Sequence, residues 1–386
     1  MIGRRSFLAA AGLVVGGSVT GRAAPAVAPD MFARSEVALG DSAPLQRVFA
    51  KARRGQPVTL GVIGGSITAG ALASRPNLSY AGRVETWWRR RFPEAPIRLV
   101  NAGVGGTGSA YGALRAGEDL IASRPDLVIV EFAVNDGWNE GASYEGLIRQ
   151  ILASPGMPAV VCLFMMWQGG GNSQESQARI GAHYRLPMVS FRDAVWPAMA
   201  AGRLVETELL VDGVHPNDAG HEAVALFLAR LFERVDQMGP ARSAAATASL
   251  PPPLISDSFQ FVQWRRAAVL TPDHAGGWTR RPGEAGRPAW FGTAASGPLA
   301  LSGEGRGFVL VLQREPDDPG RLHIRVDGAD MADPDRAGGA MRRVIIVAEN
   351  LERRRHAIEI TRIDDPGGQG GKTEIGLIGL GGIGLQ

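Results

Sequence analysis

Apolar residues in the first 235 positions fall into short continuous runs, each closed by glycine or a polar turn. The runs begin with Val58, Leu60, Val62 and Ile63, followed by Ile97 to Val100, Asp126 to Phe132 (DLVIVEF), Met157 to Met166 and Leu186 to Phe191. Continuous runs of four to ten such residues predict strands buried on both faces of a sheet. Between them the spacing changes. Gln46 to Arg54, Tyr80 to Phe92, Asp193 to Ala201 and Ala219 to Val235 have helical periodicity, and Pro93 and Pro96 stop the second of these. Strand and helix in alternation predict an α/β fold, with helices on both faces of a parallel sheet. Trp87 and Trp88 read as core and rim.

The pattern changes after position 238. Gly239 to Pro253 (GPARSAAATASLPPP) is small, Ala-rich and closed by three prolines, the composition of an extended linker. Beyond it come Phe259–Trp264, Leu299–Leu301, Phe308–Gln313, His323–Val326, Val344–Val347 and Ala357–Ile360, short runs between Gly, Pro and Asp turns. Several alternate polar and apolar residues, and Ile375 to Leu385 closes the series. These predict an all-β sandwich or jelly roll. The expected division is 1–28 targeting segment, 29–238 α/β domain, 239–254 linker and 255–386 β-sandwich accessory domain. Trp264, Trp278 and Trp290 are aromatic enough to stack on sugars but read more simply as core.

Composition narrows the function classes. The chain is 45% hydrophobic and 20% charged, with a formal charge of +3. The first 28 residues hold Arg4, Arg5 and Arg22 and no acid, so the 41 basic residues fall to 38 without them, against 38 acidic. A balanced chain gives no argument for nucleic acid or an anionic membrane surface. The same segment has a basic start, an apolar stretch from Phe7 to Val15 and small residues ending Ala26-Val27-Ala28. It reads as a cleavable secretory signal, and Arg4-Arg5 before Ser6-Phe7-Leu8 resembles the twin-arginine type. The apolar stretch is too short to span about 20 residues of bilayer. The expected address is periplasmic or secreted, with no stable membrane anchor. Cys162, the single cysteine, lies in AVVCLFMMW and reads as a buried hydrophobe.

The candidate chemistry sits where the predicted strands end. Val58–Ile63 stops at Gly64-Gly65, and Ser66 follows, a hydroxyl at the mouth of a sheet with room beside it for substrate. The second strand runs into NAGVGGTGS, a glycine-rich turn before a helix. This turn lacks the G-x-x-x-x-G-K spacing of a phosphate loop. The third ends in Asn135-Asp136, either an Asx turn or a polar contact to the site. The fourth is followed by Trp167-Gln168-Gly169-Gly170-Gly171-Asn172, a loop suited to shaping a pocket. Asp212 stands three residues before His215, the spacing for a carboxylate to hold Nδ1 while Nε2 faces a nucleophile. A metal pair would need a third ligand, and none of the right type is near, so no metal or cofactor is expected. His221 reads as structural, and His183 has no assigned role.

Taken together, Gly64-Gly65-Ser66-Ile67-Thr68, Asn101 to Gly106, Ala133-Val134-Asn135-Asp136 and Asp212-Gly213-Val214-His215-Pro216 resemble the four blocks of the SGNH subgroup of GDSL-type esterases, over roughly residues 55–235. Two positions depart from the family: Gly65 replaces its usual aspartate and Ala133 its usual glycine. The resemblance implies a flavodoxin-like three-layer α/β/α sheet and a serine esterase. Ser66, Asp212 and His215 would be catalytic, with Ser66, Gly106 and Asn135 forming the oxyanion hole. Gly65, Gly105, Trp138 and Trp167 are candidate substrate contacts. With an exported chain and an accessory β domain, the expected substrate is a short acyl ester, acetyl first, on a small molecule, carbohydrate or envelope polysaccharide. A glycan O-acyltransferase with the same serine site and a non-catalytic glycan-binding protein are the alternatives.

Overall fold

The computed structural model describes residues 27–137, 141–239, 249–314, 321–331, 342–363 and 374–386. Almost all of the expected targeting segment, most of the expected linker and Trp138 lie outside these residues.

The first half runs α1 (Pro29–Ser35), β1 (Glu36–Ala38), α2 (Ala43–Arg53), β2 (Val58–Gly64), α3 (Ser66–Ala69), α4 (Tyr80–Arg91) and β3 (Ile97–Gly103). It continues α5 (Ser109–Asp119), β4 (Leu127–Glu131), α6 (Gly141–Leu152), β5 (Ala159–Phe164), α7 (Gln174–His183), β6 (Met188–Ser190), α8 (Phe191–Ala200) and α9 (Asp218–Gln237). The sheet order is β1-β6-β5-β4-β2-β3. Strands β2 to β6 are parallel, and the short β1 pairs antiparallel with β6 at the edge. The parallel strands thus follow the flavodoxin-like order expected, and the strand order reverses at β2. Helix α1 and strand β1 are additions that the apolar pattern did not reveal. Both are short, and β1 is only half-buried.

Side chains of the central strands alternate between two cores. Leu60, Val62, Leu127, Ile129, Val161 and Leu163 pack under α2, α4, α8 and α9. Ile63, Val128, Val130, Val160, Cys162 and Phe164 pack under α5, α6 and α7. Burial on both faces explains why these strands read as unbroken apolar runs. Trp88 is fully buried, stacked on Phe49 at 4.9 Å, and Trp87 packs at the rim.

The second half contains β7 (Val262–Arg266), β8 (Thr279–Pro282), β9 (Pro288–Gly292), β10 (Leu299–Gly305), β11 (Gly307–Arg314), β12 (Arg321–Val326), β13 (Ala329–Asp330), β14 (Arg342–Ala348), β15 (Arg354–Ile363) and β16 (Ile375–Ile383). They form a four-stranded antiparallel sheet, β10-β15-β12-β13, and a second sheet, β14-β11-β16-β9-β8, with β7 also paired to β16. Leu299, Leu301, Leu322 and Ile324 from the first sheet meet Phe308, Leu310, Leu312 and Leu377 from the second in one core. Trp278 belongs to that core, Trp290 packs on it, and Trp264 packs on the α5–α6 core. None of the three is an open platform for sugar.

The two halves share a core as well. Val309 and Val311, alternating with the inward residues of β11, turn to α5 and α6 and join Tyr111, Leu114, Leu147 and Ile151. Phe259 is fully buried in the same cluster. The segment leading to it is held by α6. Glu145 accepts from the backbone N–H groups of Leu254, Ile255 and Ser256 at 2.5, 2.7 and 3.0 Å, and Arg149 donates to the Pro251 carbonyl at 2.7 Å.

Candidate active site

Four strand ends and loops meet around Ser66. Strand β2 is buried along almost its whole length, and Gly64 and Gly65 turn it into α3. Neither glycine has a positive φ; close approach requires them. A Cβ on Gly64 would stand 2.1 Å from Thr68 Oγ1, and one on Gly65 would stand 2.0 Å from Asn135 Oδ1. Gly70, at φ +93°, ends the turn.

Strand β3 brings the glycine-rich turn alongside. The Val104 N–H donates to the Gly64 carbonyl at 3.0 Å. Asn101 ties the turns together: its Nδ2 donates to the Thr68 carbonyl at 2.8 Å, and its Oδ1 accepts from the Gly103 N–H at 2.8 Å. A Cβ on Gly105 would lie 3.7 Å from Ser66 Cβ. Gly106 adopts φ +66° with open space beside it.

Strand β4 supplies Asn135. Its amide sits against Gly65, with Oδ1 buried and without a hydrogen-bond partner. Asp136 is anchored separately: its carboxylate accepts from the Ser109 N–H at 2.6 Å and from Gln177 Nε2 at 2.9 Å. The two side chains therefore face different ways, Asn135 toward Gly65 and Asp136 toward α5 and α7.

The loop before α9 brings the histidine. Gly213, at φ +80°, folds it back so that the Val211 N–H reaches the His215 carbonyl. Asp212 Oδ1 accepts from the backbone N–H groups of Val214 and His215 at 3.1 and 2.8 Å. Asp212 Oδ2 lies 2.7 Å from His215 Nδ1, and His215 Nε2 lies 2.7 Å from Ser66 Oγ. The His215 backbone N–H, more than any other group, lowers the Asp212 carboxyl to a pKa of about 2. A carboxylate that stays ionised fixes the proton on Nδ1 and leaves Nε2 as an acceptor for the serine proton. Asp212 is 49% exposed and His215 25%, so water has access to the arrangement.

The remaining candidates are placed less uniformly. Trp167 is 38% exposed, and the next residue, Gln168, donates its N–H to the Gly213 carbonyl at 2.6 Å, joining this loop to the His215 loop. Trp138 lies outside the described residues. His221 is buried and structural: its Nδ1 accepts from the Tyr80 N–H at 3.2 Å, and its Nε2 is 3.1 Å from the Ala71 carbonyl. Burial lowers its pKa, in keeping with a neutral ring. His183 Nε2 lies 2.8 Å from the Pro252 carbonyl, away from Ser66. Among the described residues, no group of three or more His, Cys, Asp or Glu is arranged to hold a metal ion.

A buried set beneath Ser66 was not read from the sequence. Thr68 Oγ1 donates to Glu131 Oε2 at 3.0 Å and lies 2.8 Å from Tyr80 Oη, and all three side chains are fully buried. Burial raises the Glu131 carboxyl to a pKa of about 7. Glu131 ends a strand whose other residues are apolar, which is the one clue to it.

Residues 62–223 match the GDSL-like Lipase/Acylhydrolase family. Across nearly the whole chain the fold is similar to a two-domain esterase (CEX) active on acetylated mannans. That match has 27% identity and a TM-score of 0.81, and covers 92% of this chain and 99% of the other. The same esterase co-crystallized with mannopentaose gives a TM-score of 0.80 at 27% identity, covering 92% and 98%. An acetylxylan esterase of Geobacillus stearothermophilus is 26% identical over 165 residues, 37% of this chain and 74% of that protein. Residues 62–223 thus match the GDSL-like lipase/acylhydrolase family, and the protein is a carboxylesterase whose Ser66, Asp212 and His215 stand in an SGNH-like arrangement.

Proposed function

We propose that this esterase removes acetyl groups from an acetylated polysaccharide through an acyl-Ser66 intermediate. The observation that carries the reading is the unbroken chain from Asp212 Oδ2 to His215 to Ser66 Oγ, with both links at 2.7 Å. His215 Nε2 takes the Ser66 proton as Oγ attacks the ester carbonyl carbon. Asp212 keeps the imidazole oriented and stabilises the imidazolium. The oxyanion falls to the N–H groups of Ser66 and Gly106 and to Asn135 Nδ2, whose Oδ1 is turned against Gly65. The imidazolium then protonates the departing sugar oxygen. Water, activated by the same histidine, releases acetate and frees Ser66.

Gly105, beside Ser66, serves the acyl side of the substrate and the exposed Trp167 indole the sugar, whereas Gly65, expected as a substrate contact, is buried with Asn135 filling the space beside it. Water access at Asp212 and His215 favours hydrolysis over transfer to another hydroxyl. The basic-apolar-small segment before Pro29 supports export by the twin-arginine route, hence action on a polymer outside the cytoplasm. The substrate class agrees with the polysaccharide esterases this chain resembles.

The test compares hydrolysis of p-nitrophenyl acetate, butyrate and octanoate with acetate release from acetylated mannan and xylan. Acetate preference with release from a polymer is expected, together with complete loss in Ser66→Ala. A preference for octanoate with no release from either polymer overturns the polysaccharide reading.

A further inference from the structure

Helix α5 lies between the parallel sheet and the antiparallel sheets, and Arg115 on it is fully buried. A guanidinium stays charged at any working pH, and removing it from water costs several kcal/mol unless its donors are met. Here Nη1 donates to the Ala102 carbonyl at 2.6 Å and Nη2 to the Gly64 carbonyl at 3.2 Å. Gly64 ends β2, and Ala102 is the penultimate residue of β3. One planar fork thus spans two neighbouring strands where both turn into the site. Ser66 follows Gly64 at once, and Gly106 closes the turn that Ala102 begins.

The same side chain also faces outward. Asp119 Oδ2 lies 3.3 Å from Arg115 Nη1, and Asp119 Oδ1 accepts from Arg266 Nη2, on β7, at 2.9 Å. Arg266 Nε donates to Glu118 at 2.7 Å, and Trp264 on β7 meets the Tyr111 ring edge-on at 5.6 Å. Side-chain exposure rises from 1% at Arg115 to 28% at Asp119 and 30% at Arg266, so water screens the inner link least.

We propose that Arg115 is a positioning residue for ester cleavage, locking the Ser66 turn to the Gly106 turn, and that Asp119, at the end of α5, and Arg266, on β7, hold it in place. The proposal rests on the reading of Ser66 as nucleophile and Gly106 as oxyanion donor. Two turns that supply nucleophile and oxyanion donor from different strands need a fixed separation, since a shift of about 1 Å in reacting geometry costs roughly 100-fold in rate. Lysine cannot replace the fork, because an ammonium is a point donor and the two carbonyls need two coplanar ones.

The experiment uses the full chain and the variants Arg115→Met, Arg115→Lys, Asp119→Asn and Arg266→Gln. It reads kcat and KM with p-nitrophenyl acetate, and amide hydrogen exchange in the peptides spanning residues 60–70 and 100–110. Arg115→Met is expected to lower kcat about 100-fold with KM within about twofold, the pattern of a lost transition-state alignment. Arg115→Lys recovers part of that loss. Asp119→Asn and Arg266→Gln each lower kcat severalfold, their double variant no further, and exchange quickens in both peptides. If Arg115→Met does not fold, the partly exposed Asp119 and Arg266 variants and Arg115→Lys decide the matter. Wild-type kcat and wild-type exchange in those variants overturn the proposal, as does an exchange increase spread evenly over the chain. If the unsubstituted chain cleaves no ester, the esterase mechanism fails separately, and the exchange data alone decide whether Arg115 couples the two turns.

Discussion

Gly65 and Asn135 compete for one space. The position where GDSL-type esterases usually carry aspartate holds glycine here, and the Asn135 amide lies where the missing Cβ would be. Gly65→Ala is therefore expected to displace Asn135 and lower kcat on p-nitrophenyl acetate roughly 100-fold, as removal of one oxyanion donor does. Asn135→Ala should match it, and the double variant should be no worse than either alone, because both changes remove the same contact. Wild-type turnover in Gly65→Ala would show that Asn135 is dispensable to the site. Glu131 provides a second case at this scale. Its carboxyl is raised from the usual carboxylate range to about 7 by burial, so the folded chain keeps a proton that the unfolded chain loses. The stability that this proton confers is complete below about pH 4.5 and is lost as pH rises through about 7. Relative to Glu131→Gln, which keeps the neutral shape, the wild type should lose on the order of 3 kcal/mol between pH 4.5 and 8. Parallel urea midpoints for the two proteins across that range would refute the assignment.

At the scale of elements, α6 is the hinge between the halves of the molecule. Its inner residues, Tyr144, Leu147, Ile148 and Ile151, join the parallel-sheet core, and Glu145 and Arg149 bind the chain that enters the antiparallel sheets. Burial opposes the Glu145 charge, but bonds from Tyr184 and from the backbone of Leu254, Ser256 and Ile255 outweigh it and lower its pKa. Its sign is opposite to that of Glu131: the stabilisation is present above the unfolded carboxylate range and is lost as pH falls through the lowered value. Glu145→Gln replaces an ionised acceptor with an amide facing three N–H donors. A loss of about 3 kcal/mol in chemical denaturation near pH 7 is expected, and the difference from wild type should shrink as the pH is taken below 4. A variant as stable as wild type at neutral pH would show that this clasp adds nothing.

On the scale of the whole molecule, the shared core sets a different expectation from two domains joined by a flexible chain. Val309, Val311, Ile383 and Phe259 cover the α5–α6 face, so a chain ending at residue 238 would expose Tyr111, Leu114, Ile148 and neighbours together. Exposed apolar patches of that kind drive association. The truncated chain is expected to elute as aggregate in size-exclusion chromatography, with ester hydrolysis lost. A monomeric, active fragment would mean that the parallel-sheet half stands alone.

The local pattern determined a great deal. Continuous apolar runs marked β2, β4 and β5 because both faces of each are buried, and the glycines that end β2 and β3 marked the turns around Ser66. The Asp212–His215 spacing was legible because the two residues lie in one short loop, and a hydrogen bond three residues apart depends on little beyond that loop. The weak short elements β1, β8, β9 and β13 left no run long enough to read. Residues whose meaning depends on distant partners were likewise not legible: nothing near Glu131, Arg115 or Gly65 in the chain announces Thr68, the Gly64 and Ala102 carbonyls or Asn135. The sequence by itself specified an α/β serine-hydrolase frame followed by β strands, because apolar periodicity and turn chemistry are local. Only the tertiary structure decided which ionisable side chains lie buried next to the site and that the second half packs into the core of the first, because burial and long-range pairing belong to no single segment.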